Sequence, residues 1–217
     1  MTSTLRFHST DASVLASAEY GRIIAGWRWH FLEKILDWAD AIEHKDAYTA
    51  GHARRVTGYS FLLGMALDLA QHELANLWLA AALHDVGKIC VSDEILCKPG
   101  PLNAEEMAVM KKHPLVGARL LAPARCMRGA VGGVRHHHER YDGRGYPDGL
   151  QGTEIPLAAR VIAVADSFDA ITTHRPYRDA RSPEQAAREI TGGEGTQFCP
   201  IVVRAFQSLF ESQAFTV

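Results

Sequence analysis

Leu74-Ala75-Asn76-Leu77-Trp78-Leu79-Ala80-Ala81-Ala82-Leu83-His84-Asp85 sets apolar side chains at Leu74, Leu77, Trp78, Ala81 and Ala82, the three-and-four spacing of a buried helix face. One heptad beyond Leu77 and Trp78 the same face reaches His84 and Asp85. Two strongly polar side chains therefore continue a core stripe. Burying an ionised Asp without a partner costs enough to neutralise it. A bound metal ion removes that cost and uses the neutral imidazole as a donor. Taken alone, a His-Asp pair satisfied by the backbone is the plainer reading.

Helical spacing extends outward in both directions. Leu32, Ile35, Leu36, Ala39 and Ile42 form one apolar stripe, and Val56, Tyr59, Leu63 and Leu67 form another on a helix expected from about Ala50 to Leu69. Downstream, Lys98-Pro99-Gly100-Pro101 reads as a turn, and Asn103 with Glu106 three residues on reads as a helix cap. Gly129 to Gly152 is glycine-rich and reads mostly as loop. Val161, Val164, Phe168 and Ile171 outline a further helix that Pro176 follows. The last helix is expected to start near Pro200 and carries Val203, Phe206 and Phe210. No alternating strand pattern is sustained and no internal repeat is visible. The expected class is all-α, with residues 1–42 as an N-terminal helical extension and residues 43–217 as the main domain.

Composition narrows the function classes. The chain has 217 residues, 47% hydrophobic and 22% charged, an ordinary globular balance. A formal charge of -2 gives no surface for coating a nucleic acid polymer. The apolar runs Leu62–Leu69 and Leu77–Leu83 fall short of the ~18–20 residues a membrane span needs. No apolar block with a cleavage site follows Met1–Thr10, so a secretory signal is not expected. Cys90, Cys97, Cys126 and Cys199 make no CxxC pair and fit reduced thiols in a cytoplasm.

Histidine is the unusual component, with eleven residues, several clustered. The phosphate loop GxxxxGK[ST], the GxSxG elbow, GxGxxG and HExxH are all absent. Imidazole and carboxylate remain as the candidate donors: His52, His84 and Asp85, His113, the His136-His137-His138 run with Glu139, and Asp166. Each has a structural reading when isolated. Their joint occurrence favours a metal centre, as does Asp166 with Asp169 at i,i+3 on one helix face.

Five blocks then match a known family in order and spacing. They are Tyr48-Thr49-Ala50-Gly51-His52, His84-Asp85-Val86-Gly87-Lys88, Lys112-His113-Pro114, His137-His138-Glu139-Arg140-Tyr141-Asp142-Gly143-Arg144-Gly145-Tyr146-Pro147 and Asp166-Ser167-Phe168-Asp169-Ala170. From about Ile42 to Phe206 the chain resembles the HD-GYP domains, a bacterial branch of the HD metal-dependent phosphohydrolases. The resemblance implies an HD-domain helical bundle that opens cyclic di-GMP to linear pGpG, with some members continuing to GMP. It implies two divalent ions held by His52, His84, Asp85, His113, His137, His138 and Asp166, with Asp85 as the bridge. Lys88 falls where the family contacts the substrate phosphate. Tyr146, Asp169, Arg175 and Arg178 fall at nucleotide-holding positions. His136 matches no family role. A GGDEF-domain partner, a homodimer and a cytoplasmic location are also compatible with the resemblance.

Elementary chemistry agrees with that set. Two carboxylates leave two divalent ions with net positive charge, which attracts a phosphodiester anion. Lys88 can offset charge on a phosphate oxygen, and the forked guanidiniums of Arg175 and Arg178 suit a phosphate or a guanine edge. Iron or manganese suits a site mixing histidine and carboxylate without thiolate, and nickel or cobalt is compatible.

Two positions depart from the family. Tyr48 stands where some members place a Glu for a third metal, and a phenol is a poor ligand near neutral pH, so a two-metal centre with little onward cleavage to GMP is expected. Cys199 replaces the usual Asp before Pro200, where Asp would cap the last helix. Two other readings compete: an HD phosphohydrolase acting on another or hybrid nucleotide, and a module that binds the nucleotide or a GGDEF-type partner without catalysis.

Overall fold

The computed structural model describes residues 29–43, 51–174, 179–213 and 215. Among these the chain is helical, and no strand forms beyond an isolated bridge between Glu194 and Phe198. The α-helices are α1 (Trp29–Glu43), α2 (His52–Ala66), α3 (Gln71–Ala82), α4 (Asp93–Leu96), α5 (Ala104–Met110), α6 (His113–Leu121), α7 (Val131–His136), α8 (Leu157–Thr172), α9 (Pro183–Gly192) and α10 (Pro200–Glu211). A 3₁₀ turn over Val86–Cys90 follows α3.

The expected apolar stripes are the ones that pack. Leu74, Leu77, Trp78, Ala81 and Ala82 of α3 are buried against Val56, Tyr59 and Leu63 of α2 and against α8. Helix α8 runs through the middle of the bundle, touching α2, α3, α7, α9 and α10, and buries Val161, Ile162, Val164, Ala165 and Phe168. Phe168 sits in an aromatic cluster with Tyr59, Phe206, Phe210 and Phe215. Fully burying one such ring contributes roughly 1.5–3 kcal/mol. Ile35, Leu36 and Ala39 of α1 enter the same core, so this part of the N-terminal stretch packs on the bundle. Residues 1–28, the rest of the expected extension, lie outside the described residues.

Local signals act where the residue types place them. Asn103 Oδ1 accepts the Glu106 N–H at 2.9 Å while Glu106 Oε2 accepts the Asn103 N–H at 2.8 Å, closing the capping box of α5. One expectation is corrected. Helix α3 stops at Ala82, so His84 and Asp85 lie in the turn beyond it rather than on the helix. The glycine-rich stretch is mostly loop and turn, as expected, and also contains the short helix α7. A Cβ on Gly133 would lie 2.6 Å from the Ala80 Cβ, so this glycine lets α7 press against α3 instead of making a turn. No helix among the described residues is long and apolar enough to cross a membrane.

Candidate metal centre

Five parts of the bundle deliver the candidate side chains to one place. His52 opens α2, His84 and Asp85 follow α3, His113 opens α6, and His137 and His138 follow α7. Helix α8 supplies Asp166 and Asp169. The approach of the α3 turn to α6 depends on Gly87, because a Cβ there would meet the His113 carbonyl oxygen at 1.9 Å and the Gly117 nitrogen at 2.7 Å. No side chain larger than hydrogen fits between them.

The donors form two groups. His52, His84 and Asp85 present ligand atoms within 4.8 Å of one another, and so do His113, His137 and His138. Asp85 stands between them. Its Oδ2 is 3.4 Å from His84 Nε2 and 4.0 Å from His52 Nε2, while its Oδ1 is 3.2 Å from His113 Nε2. Asp166 Oδ1 lies 3.4 Å from His52 Nε2 and so borders the first group.

Tautomers are fixed from behind. The Nδ1–H groups of His84, His113 and His137 donate to the carbonyls of Ala81, Met110 and Val134 at 2.7, 2.8 and 2.8 Å. His52 Nδ1 is 2.7 Å from Asp169 Oδ2. Each neutral ring therefore turns an Nε2 lone pair inward, and the Nε2 atoms of His113 and His137 face each other at 3.3 Å, as do those of His52 and His84. Lone pairs converging at that distance repel unless a cation lies among them. This donor chemistry fits a pair of divalent ions, with the second ring nitrogen anchored as metal-ligating histidines require.

For His84, His137 and His138 electrostatics point the same way. Burial holds His84 and His137 below the ordinary histidine range, and burial next to His113 takes His138 to about 3, which keeps these rings as lone-pair donors. Burial also pulls His52 downward, but the bond it donates to Asp169 and the charges of Asp166, Asp169 and Asp85 lift it above the usual value. Burial opposes the charge on Asp85, and Lys88, His84 and His113 more than reverse that, leaving its carboxyl well below the usual range. Lys88 Nζ is 2.6 Å from Asp85 Oδ2.

The remaining candidates separate. Tyr146 stacks on His138, with ring centroids 4.9 Å apart, at the edge of the second group. Asp169 is 1% exposed, and its two oxygens are engaged by His52 and Arg55, which places it behind His52. Glu139 turns away from the donors, and His136 bonds Gly132 O and Asp148 Oδ2 outside the cluster. Arg175, Arg178 and Tyr48 lie outside the described residues. Sequence reasoning missed Arg55, although its place one helical turn after His52 put it on the same face.

Comparison with known proteins agrees with this geometry. The chain is 43% identical over 175 residues to a cyclic di-GMP phosphodiesterase response regulator, RpfG, of Xanthomonas campestris, covering 80% of this chain and 46% of that protein. It is 39% identical over 182 residues to a cyclic di-GMP phosphodiesterase of Thermotoga maritima, covering 82% of this chain and 50% of that protein. The chain thus spans half or less of the length of these relatives. In fold it resembles a solved cyclic GMP-AMP specific phosphodiesterase of V. cholerae, with a TM-score of 0.70 and 21% identity over 85% of this chain and 49% of that one. Residues 38–201, the segment that carries every donor described above, match the HD domain model, and the chain belongs to the HD domain family.

Proposed function

We propose that the chain is a two-metal phosphodiesterase of the HD-GYP branch that hydrolyses cyclic di-GMP to linear pGpG. One observation carries the reading: Asp85 directs one carboxylate oxygen to each of two histidine groups, the arrangement a bridging ligand needs. Relatives named as cyclic di-GMP phosphodiesterases, at 43% and 39% identity, support the substrate.

His52, His84, Asp85 and Asp166 would hold one ion, and Asp85, His113, His137 and His138 the other. When bound, such ions supply Lewis-acid activation of water and draw charge from phosphate oxygens. Iron or manganese is the proposed filling. The chain's own residues do the rest. Lys88, held against Asp85, places an ammonium beside the position of the phosphate and balances the charge that grows there. Tyr146 stacks on His138 and is proposed to offer its ring and phenol to the nucleotide, with Arg175 and Arg178 proposed to grip its second half. Asp169 keeps the Nδ1 hydrogen of His52 in place, so that Nε2 stays a donor.

The test is elemental analysis combined with chromatographic detection of pGpG and GMP, performed anaerobically to protect a reducible metal. About two divalent ions per chain and accumulation of pGpG are expected. A metal-replete protein that leaves cyclic di-GMP intact, or prefers a linear or hybrid dinucleotide, overturns the reading.

A further inference from the structure

Glu139 directly follows the ligand pair His137-His138 and is 4% exposed, yet its carboxylate serves no donor of the metal cluster. Its Oε1 accepts two backbone hydrogen bonds, from Asp148 N–H at 2.7 Å and Gly149 N–H at 3.0 Å. Its Oε2 is buried with no hydrogen-bond partner. A buried carboxylate committed to two amides of one loop is a costly device unless the loop must be held in place.

That loop carries Tyr146. It begins at Gly143, whose N–H donates to the Arg140 carbonyl at 2.9 Å, and passes Gly145, where a Cβ would lie 2.3 Å from the Arg140 nitrogen. Tyr146 N–H then donates to the His138 carbonyl at 3.2 Å. At the far end Asp148 is gripped twice. Its main chain is held by Glu139, and its carboxylate by Arg135 Nε at 2.7 Å, Arg135 Nη2 at 2.8 Å and His136 Nε2 at 2.9 Å. Residues on both sides of the ligand pair thus reach across to one loop residue. Between these anchors the Tyr146 ring lies on His138, with the Lys111 ammonium 5.2 Å from its centroid.

We infer that Glu139 is a positioning residue for turnover: its carboxylate fixes loop 143–149 so that the Tyr146 ring stands over His138 where substrate enters. The kinetic consequence rests on the phosphodiesterase reading; the clamp itself does not. The geometry separates reach from charge. Glutamine keeps an oxygen at the same distance and can accept both N–H bonds, whereas aspartate keeps the charge and is one carbon too short.

The experiment compares the metal-loaded wild type with Glu139→Gln and Glu139→Asp by amide hydrogen exchange over residues 143–149, metal content, and kcat and KM for cyclic di-GMP. Glu139→Asp is expected to retain metal, speed exchange at Asp148 and Gly149, and raise KM by about tenfold, the scale of a lost charged hydrogen bond, with a smaller fall in kcat. Glu139→Gln is expected to restore loop protection and most of the KM. In a Tyr146→Ala background, Glu139→Asp should add nothing further to KM. The inference is overturned if aspartate matches wild type while glutamine fails, or if Glu139→Asp loses metal with loop exchange unchanged. A wild type that retains cyclic di-GMP uncut defeats the phosphodiesterase reading, and the exchange comparison still decides the clamp.

Discussion

Gly87 and His113 meet backbone to backbone, so closely that a single methyl group on Gly87 would fall 1.9 Å from the His113 carbonyl oxygen. This contact ties the turn carrying His84, Asp85 and Lys88 to the first residue of α6, and through it ties one donor group to the other. Because the obstacle is main chain and not a flexible side-chain end, the clash cannot be relieved by a rotamer change. Gly87→Ala is expected to destabilise the fold by about 1–3 kcal/mol and to lower metal content together with activity. Thermal melts and elemental analysis of the purified variant check this, and an alanine variant with full metal would refute the role assigned to the contact.

Asp85 and Lys88 touch each other but are proposed to do different work, so their variants should differ in kind. Asp85→Ala removes a carboxylate that faces both donor groups, so metal and activity should disappear together. Lys88→Ala leaves every proposed ligand in place, so metal should remain while kcat falls. Metal content measured beside turnover distinguishes them, and full metal in Asp85→Ala is incompatible with the ligand assignment.

Asp169 bonds to His52, and under the proposed two-metal reading its removal should register first in metal binding. Loss of an outer carboxylate partner weakens metal affinity by roughly 10–100-fold. Asp169→Ala is expected to strip metal at chelator concentrations that wild type withstands. If the variant instead kept its metal and only raised KM, Asp169 would be a nucleotide contact after all.

How far the sequence spoke can be judged residue by residue. The apolar faces of α2, α3 and α8 were readable because burial imposes a 3.6-residue period that survives in the order of residue types. Helix α7 was hidden because Gly129, Gly132 and Gly133 look like loop formers, and only the position of Ala80 shows that Gly133 is small for packing. The donors were visible as clustered imidazoles and matched motifs. The directions in which Asp169 and Glu139 turn were not, since nothing in a linear chain says that Asp169 meets Arg55 from α2 or that Glu139 meets the amides of residues 148 and 149. Spacing reports which face a residue shares, and tertiary contact decides what that face touches.

Asp148 gives the fold an acid-sensitive contact. The Arg135 guanidinium, with His136 beside it, holds the Asp148 carboxyl at about 2. A carboxyl depressed in the folded state contributes stability above its unfolded value of about 3.9, and that contribution is lost as pH falls through the folded value. The pair is partly exposed, so the contribution is expected to stay below about 1 kcal/mol. Denaturant melts should show Asp148→Asn less stable than wild type at pH 6, with the two curves converging between about pH 4 and pH 2. A gap that persists undiminished to pH 2 would assign the effect to something other than the charge.

Cys199 occupies the N-cap of α10, ahead of Pro200, and its side chain makes no bond to the open amides of the first turn. Its Sγ accepts instead from Arg160 Nη1 at 3.3 Å. An aspartate in this place could cap the helix and pair with the same guanidinium, two gains that oppose the cost of burying its charge. A cap of this kind is worth about 1 kcal/mol, which corresponds to a rise in Tm of roughly 2–4 °C for a chain of this size. The site lies on α10, whose start bonds to Arg160 and to none of the donors, so turnover should stay close to wild type in Cys199→Asp. Calorimetry alongside the pGpG assay separates the outcomes. A lower Tm would mean that desolvation of the carboxylate outweighs cap and ion pair, and a changed rate would mean that α10 communicates with the metal centre.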